Sequence, residues 1–212
     1  MPAYRCCVSN ASRIRRPAMR ILVSGPPAVG KTRQGILLSR ELGVPHISSG
    51  ALIREAAGAG NPVAQRLLGI VSDGSLAPSE EITRLVLDRL SDEDCRGGFV
   101  LDGFPRKWQE AEGLLHHQQP DAVFVLEADH GVLQERLRTR VLQGRADDDP
   151  AALRRRLHAY ELETRRAQLV FRLSFVPVHS VDASREAGDI ARDILSRLPA
   201  REPAYAPAPC FA

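Results

Sequence analysis

Lysine is nearly absent from this 212-residue chain: Lys31 and Lys107 are the only two, and arginine supplies the remaining positive charge. Arginine, alanine and proline are abundant in the manner of a GC-rich coding bias, which makes each surviving lysine informative. Long hydrophobic runs are also missing. The longest, such as Val123-Phe124-Val125-Leu126, are strand-sized, which excludes a membrane-spanning helix and predicts a soluble protein. Cys6, Cys7, Cys95 and Cys210 have neither paired C-x-x-C spacing nor a histidine complement, which argues against structural zinc and for the reduced thiols of a cytosol. Neither sign of charge dominates. A net charge of +3 and a pI near 8.9 do not demand a polyanion-binding surface, although they suit small anionic substrates. There is no sign of an internal repeat.

What the chain does have is the run Gly25-Pro26-Pro27-Ala28-Val29-Gly30-Lys31-Thr32, entered from the apolar Ile21-Leu22-Val23 and left into a helical pattern. Glycines at both ends let the backbone curl so that successive N–H groups face an anion, and the following helix adds the positive end of its dipole. Lys31 is placed to reach terminal phosphates and Thr32 a magnesium ion. A phosphate-binding loop, and hence nucleotide handling, is the expectation. Lys107 has no comparable setting and reads as a solvated side chain.

With 43% apolar residues the chain can bury one core of domain size. Strand-sized runs at Ile21–Ser24, Val44–Ile47, Phe99–Asp102, Ala122–Leu126 and Val176–His179 alternate with helical patterns at Lys31–Leu42, Ala51–Ile70, Glu80–Leu90, Trp108–Leu115, Leu133–Arg140 and Ala151–Phe171, and a last helix ends near Leu198. This predicts an α/β fold with a parallel five-stranded sheet flanked by helices. Stripes such as Ile82, Leu85, Val86 and Leu90, or Ile190, Ile194 and Leu198, belong to the core. Asp149 before Pro150 reads as a helix cap. Residues 1–18 carry Arg5, Arg13, Arg15 and Arg16 and no acid, so a secretory signal fits poorly. A transit peptide and an upstream start codon both stay open, the latter favoured because Arg20 leads straight into the first strand. The Pro- and Ala-rich end, residues 200–212, reads as a disordered tail.

Ligands of such sheets collect at the carboxyl ends of the strands. The second strand ends in His46-Ile47-Ser48-Ser49-Gly50, with Arg54 about one turn on, where a hydroxyl and a guanidinium could hold a second anion. The third ends in Leu101-Asp102-Gly103-Phe104-Pro105-Arg106. Asp102 suits a magnesium-bound water opposite Thr32, and Arg106 suits a phosphate clamp.

These segments resemble the adenylate kinases of the nucleoside-monophosphate kinase family, across roughly Arg20 to Leu198. The resemblance rests on the phosphate loop, Pro45–Gly50 leading to Arg54, the run Gly98–Arg106, Glu135-Arg136 with Arg140, and Gly144-Arg145-Ala146-Asp147-Asp148. It implies a phosphate-loop three-layer fold in a core over 19–199. It also implies a small helical monophosphate-binding insert over 48–77, a short lid at 141–144, and a monomer acting on ATP, Mg2+ and AMP to give two ADP. Carried onto this sequence, Gly25, Ala28, Val29, Gly30, Lys31, Thr32 and Arg33 would wrap the ATP phosphates, with Arg136 beside them and the backbone near Arg185 at the base. Ser49, Arg54, Ser75, Leu76, Ala77, Gly103, Phe104, Pro105 and Arg106 would hold the monophosphate. Arg140, Arg145 and Arg156 would converge on the group in flight together with Lys31 and Arg106.

The chemistry favours that arginine set on its own terms, because guanidiniums neutralise clustered phosphate charge through paired hydrogen bonds. The absence of a candidate general base is no objection, since the attacking phosphate oxygen is already ionised. Arg154, Arg155, Arg165 and Arg166 read as a solvated helix face. Four positions depart from the family pattern: Thr32-Arg33 where it has glycine then threonine, Ala51 where it has aspartate, and Glu110 where a glutamine reads the base. An ionised Glu110 only accepts hydrogen bonds, which points to broadened or GMP-leaning acceptor use. The alternatives are that Gln109 does the reading or that Glu110 turns outward. A kinase for another small acceptor and a nucleotide-binding paralogue without turnover are the other readings.

Overall fold

The apolar run ahead of the phosphate loop becomes the middle strand of a sheet. In the computed structural model, which describes residues 18–142 and 150–199, β1 (Met19–Ser24) lies between β3 (Gly98–Asp102) and β4 (Ala122–Glu127). β2 (His46–Ser48) and β5 (Val178–Asp182) form the two edges, giving the order β2-β3-β1-β4-β5 with every pairing parallel. The expected parallel five-stranded sheet is therefore present. Residues 1–17, 143–149 and 200–212 lie outside the described residues, and with them the extension, much of the expected lid, the Asp149 cap and the tail.

Strand alternation divides the core in two. Leu22, Leu101, Val123 and Val125 point to one face and meet helices α4 (Ser79–Leu90), α5 (Trp108–His117) and α8 (Arg165–Leu173). Ile21, Val23, Val100, Phe124 and Leu126 point to the other, against α1 (Lys31–Leu42) and α9 (Ala187–Ser196). Burial on both faces is what a parallel sheet requires. Each fully buried side chain such as Phe124 contributes about 1.5–3 kcal/mol of transfer free energy.

Two expected helices differ in detail. The pattern over 51–70 divides into α2 (Ser49–Gly58) and α3 (Pro62–Ser72), because the Asn61 side chain accepts from the amides of Val63 and Ala64 and Pro62 opens the second helix. The pattern over 151–171 becomes α7 (Pro150–Ala159) and α8, joined by a π-helical turn at Tyr160–Thr164. α6 (His130–Leu142) completes the helices.

The register sets the site. Val23 pairs with Asp102, and Asp102 with Ser48, so the carboxyl ends of β1, β2 and β3 are level. The chain leaves β1 toward β2 and β3 on one side and continues to β4 and β5 on the other, which makes the end of β1 the point where strand order reverses.

Candidate active site

At that reversal point the Gly25–Gly30 loop curls over the end of β1. Gly25 has φ 145°, and a Cβ there would lie 2.6 Å from the Leu126 carbonyl oxygen, so the tight passage requires glycine. Ala28 takes φ 63°, a conformation that costs an L-residue about 1–2 kcal/mol. Lys31 donates through Nζ to the carbonyls of Gly25 (2.9 Å) and Pro26 (2.8 Å), which folds the ammonium back over the loop. Arg136 of α6 ties the loop to the end of β5, with Nη1 to the Val29 carbonyl (3.1 Å) and Nη2 to the Ala183 carbonyl (2.8 Å).

The loop after β3 organises the opposite wall. The Gly103 carbonyl accepts from Ser49 Oγ (2.7 Å) and from Arg106 Nε (2.8 Å), fixing the start of α2 and the guanidinium on one oxygen. Burial and Arg156 press the Arg106 pKa down, while Glu110 and Asp102 favour its charge. Glu110 is 2% exposed and faces the cleft rather than solvent. Its Oε2 accepts from the amides of Arg106 (2.7 Å) and Lys107 (3.2 Å). Burial pushes its pKa up, against those two amides and the charges of Lys107 and Arg106. Asp102 is buried, with Oδ2 2.7 Å from His46 Nε2.

One cleft of about 1260 Å³ joins these walls, above the 300–1,000 Å³ usual for a single small ligand. Gly25, Ala28, Val29, Gly30, Lys31, Thr32, Arg33, Arg136 and Arg185 line it, as do Ser49, Arg54, Leu76, Ala77, Asp102, Gly103, Phe104, Pro105, Arg106, Glu110 and Arg156. Ser75 is exposed and does not line it. The Arg185 side chain is engaged elsewhere, with Nη2 2.5 Å from Asp193 Oδ2. Arg140 lies on α6, its side chain outside the described set, and Arg145 is outside the described residues altogether.

One expectation is corrected. Lys107 is no solvated side chain: Nζ donates to the Ala77 carbonyl at 2.8 Å. Arg155 is solvent-exposed, as expected of that helix face, and its Nε and Nη2 donate to the carbonyl and carboxylate of Asp73, each at 2.6 Å. Beside it Arg156 Nη2 donates to the Val71 carbonyl at 3.1 Å, so α7 grips the end of α3. The sequence reading also missed Tyr160, Thr164 and Gln168, which the π-helical turn brings into the cleft wall, Gln168 Nε2 donating to Ser24 Oγ at 3.0 Å.

The adenylate kinase family model matches residues 23–171. The chain belongs to the adenylate kinase family. It is 42% identical over 151 residues to an adenylate kinase of Corynebacterium aurimucosum, covering 69% of this chain and 82% of that one. It is 36% identical over 173 residues to one of Mycolicibacterium smegmatis (79% and 94% covered) and 34% identical over 192 residues to one of Thermosynechococcus vestitus (85% and 97% covered). Membership of the adenylate kinases makes the chain a nucleotide-binding phosphotransferase.

Among the described residues no helix is long and apolar enough to cross a membrane. Residues suited to a divalent cation are present on both sides of the phosphate loop. Thr32 offers a hydroxyl in the first turn of α1, and Asp102 keeps Oδ1 beside the oxygen engaged by His46. A hydroxyl and a buried carboxylate are the hard oxygen donors that Mg2+ takes, usually with several waters retained.

Proposed function

We propose that this adenylate kinase moves the γ-phosphoryl group of ATP to AMP, giving two ADP, and that the two walls of the cleft divide the substrates between them. The wall made by Gly25–Arg33 and Arg136 takes ATP. Ser49, Arg54, Leu76, Ala77 and the Gly103–Arg106 loop take the monophosphate, with α2 and α3 as the insert that covers it. A phosphate oxygen of AMP attacks the γ-phosphorus, the bond from that phosphorus to the β,γ-bridging oxygen breaks, and the electron pair stays on the leaving ADP. The attacking oxygen is already ionised, so no side chain has to remove a proton.

The observation that carries this reading is that Lys31, Arg106, Arg136 and Arg156 line one cleft at the level ends of β1 and β3. The guanidinium of Arg106 is held on the Gly103 carbonyl before substrate arrives, so little reorganisation is needed as negative charge builds between the phosphates. Arg140 and Arg145 are assigned to the same transfer. Thr32, and Asp102 through water, would hold Mg2+, which supplies charge neutralisation on the phosphates. A monomeric protein of the cytoplasm is part of this proposal.

Incubating the protein with ATP, Mg2+ and AMP should form ADP, and Lys31→Met should lower kcat by about 10²-fold or more, as loss of one preorganised oxyanion donor does. A folded Lys31→Met protein whose kcat stays within threefold of wild type would overturn the assignment.

A further inference from the structure

Arg156, Tyr160, Thr164 and Gln168 all line the cleft, and each follows the one before by four residues. In an unbroken α-helix every step of four overshoots a full turn by about 40°, so Arg156 and Gln168 would face about 120° apart. The π-helical turn at Tyr160–Thr164 lies between them. Such a turn holds one residue more than an α-helical turn, which takes back about 100° of that drift. The four side chains therefore share one edge of a continuous helical rod that runs from α7 into α8. Single π turns inside α-helices are rare and recur at functional sites.

The ends of this edge meet different parts of the site. At one end is the Arg156 guanidinium. At the other, Gln168 Nε2 donates to Ser24 Oγ at 3.0 Å, a bond between residues 144 apart in the chain. Ser24 is the last residue of β1, and Gly25 after it opens the phosphate loop and accepts from Lys31 through its carbonyl. Tyr160 and Thr164, each 6% exposed, are packed along the stretch between.

Resting on the transfer reading above, we propose that Gln168 is a positioning residue for phosphoryl transfer. Its bond to Ser24 sets the α7–α8 rod against the phosphate loop, and the π turn aims Arg156 from that rod at the group in flight. Gln168 acts through Ser24 and Arg156 and does not itself meet the reacting atoms. The spacing matters because the loop and the guanidinium neutralise charge on the same phosphoryl group, and a shift of about 1 Å in such a group can cost 10²-fold in rate.

The test is a double-mutant cycle on the full chain, with kcat and both KM values measured in saturating Mg2+ well below Tm. Gln168→Met keeps the length of the side chain and removes the donor, and Ser24→Ala removes the acceptor. Each should lower kcat about five- to tenfold while KM for ATP and for AMP stays within about twofold. A bond that served stability alone would lower Tm and leave kcat unchanged. The double variant should lose no more than the worse single one, because both singles break the same bond. Single variants with kcat within twofold of wild type, a loss carried by KM instead of kcat, or losses that multiply in the double variant would each overturn the proposal.

Deletion of Leu162, which is 46% exposed, converts the π turn to an α turn and swings Arg156 by about 100° relative to Gln168. It should lower kcat by about 10²-fold or more, whereas Leu162→Ala, which keeps the residue count, should match wild type. A deletion protein that is folded by circular dichroism and keeps kcat within threefold would overturn the proposal. Should the deletion prevent folding, the cycle decides. Failure of the wild-type chain to form ADP would instead overturn the transfer reading.

Discussion

Replacing Gly103 by alanine should damage the monophosphate side of the cleft and leave the ATP side intact. Gly103 has φ 75°, so any L-residue there carries about 1–2 kcal/mol of backbone strain. The new Cβ would also lie 2.7 Å from Ser49 Oγ, well inside contact distance. Ser49 is buried and its hydroxyl donates to the Gly103 carbonyl, so it has to rotate away and lose a bond worth about 1 kcal/mol. Together the substitution costs about 2–3 kcal/mol, which for a domain of this size lowers Tm by about 5–10 °C.

The functional share is read in steady-state kinetics. Ser49 and Arg106 both hang on the Gly103 carbonyl, so displacing either should reduce kcat/KM for AMP about tenfold, while KM for ATP changes less than twofold. Ser49→Ala is the control. It removes the hydrogen bond without the strain and should lower Tm by only about 2–4 °C. A Gly103→Ala protein with Tm within 1 °C of wild type and unchanged kcat/KM for AMP would refute the reasoning, as would a loss that falls equally on ATP.

Phe175→Gly should stabilise the protein by about 1 kcal/mol, raising Tm by about 2–4 °C in a thermal melt. Phe175 is 94% exposed at φ 58°, where it ends α8: its amide bonds the Arg172 carbonyl and the next amide bonds that of Phe171, the arrangement in which glycine is favoured. Arg155→Ala should cost at most about 1 kcal/mol in stability, because Arg155 and Asp73 are both solvent-exposed. Its effect belongs in catalysis, as a two- to fivefold rise in KM for AMP, since the contact holds the end of α3 against α7; an unchanged KM would remove that role.

The phosphate loop, Asp102 and Arg106 were legible in the sequence because their positions follow from local rules. Each sits just past a strand of a parallel sheet, and strand ends are recognisable from short apolar runs. The break between α2 and α3 had its signal in Asn61-Pro62, a cap followed by a residue favoured in the first turn, although the apolar spacing over 51–70 ran straight through it. Lys107 was misread, and the partner of the exposed Arg155 went unseen, because Ala77 and Asp73 stand 30 and 82 residues away in the chain. No local pattern reports a partner that only the folded chain supplies. The π-helical turn at Tyr160–Thr164 is of the same kind, since its sequence continues a helical pattern on both sides.

The loop from Gly103 to Lys107 fastens the helical pair α2–α3 to the sheet. Through the Gly103 carbonyl it fixes Ser49, where α2 begins, and through Lys107 Nζ it fixes Ala77, just after α3 ends. Both ends of the α2–α3 excursion are thus fastened to one short segment, which is itself braced by Glu110 from within α5. The end of α3 is held further by α7, through an exposed contact at Asp73 and a partly buried one at Val71. Exposed ion pairs contribute little, whereas buried hydrogen bonds to main chain are costly to break. The excursion should therefore swing about its base rather than detach from it, keeping Ser49 and Arg106 in register with the phosphate whichever way its tip moves.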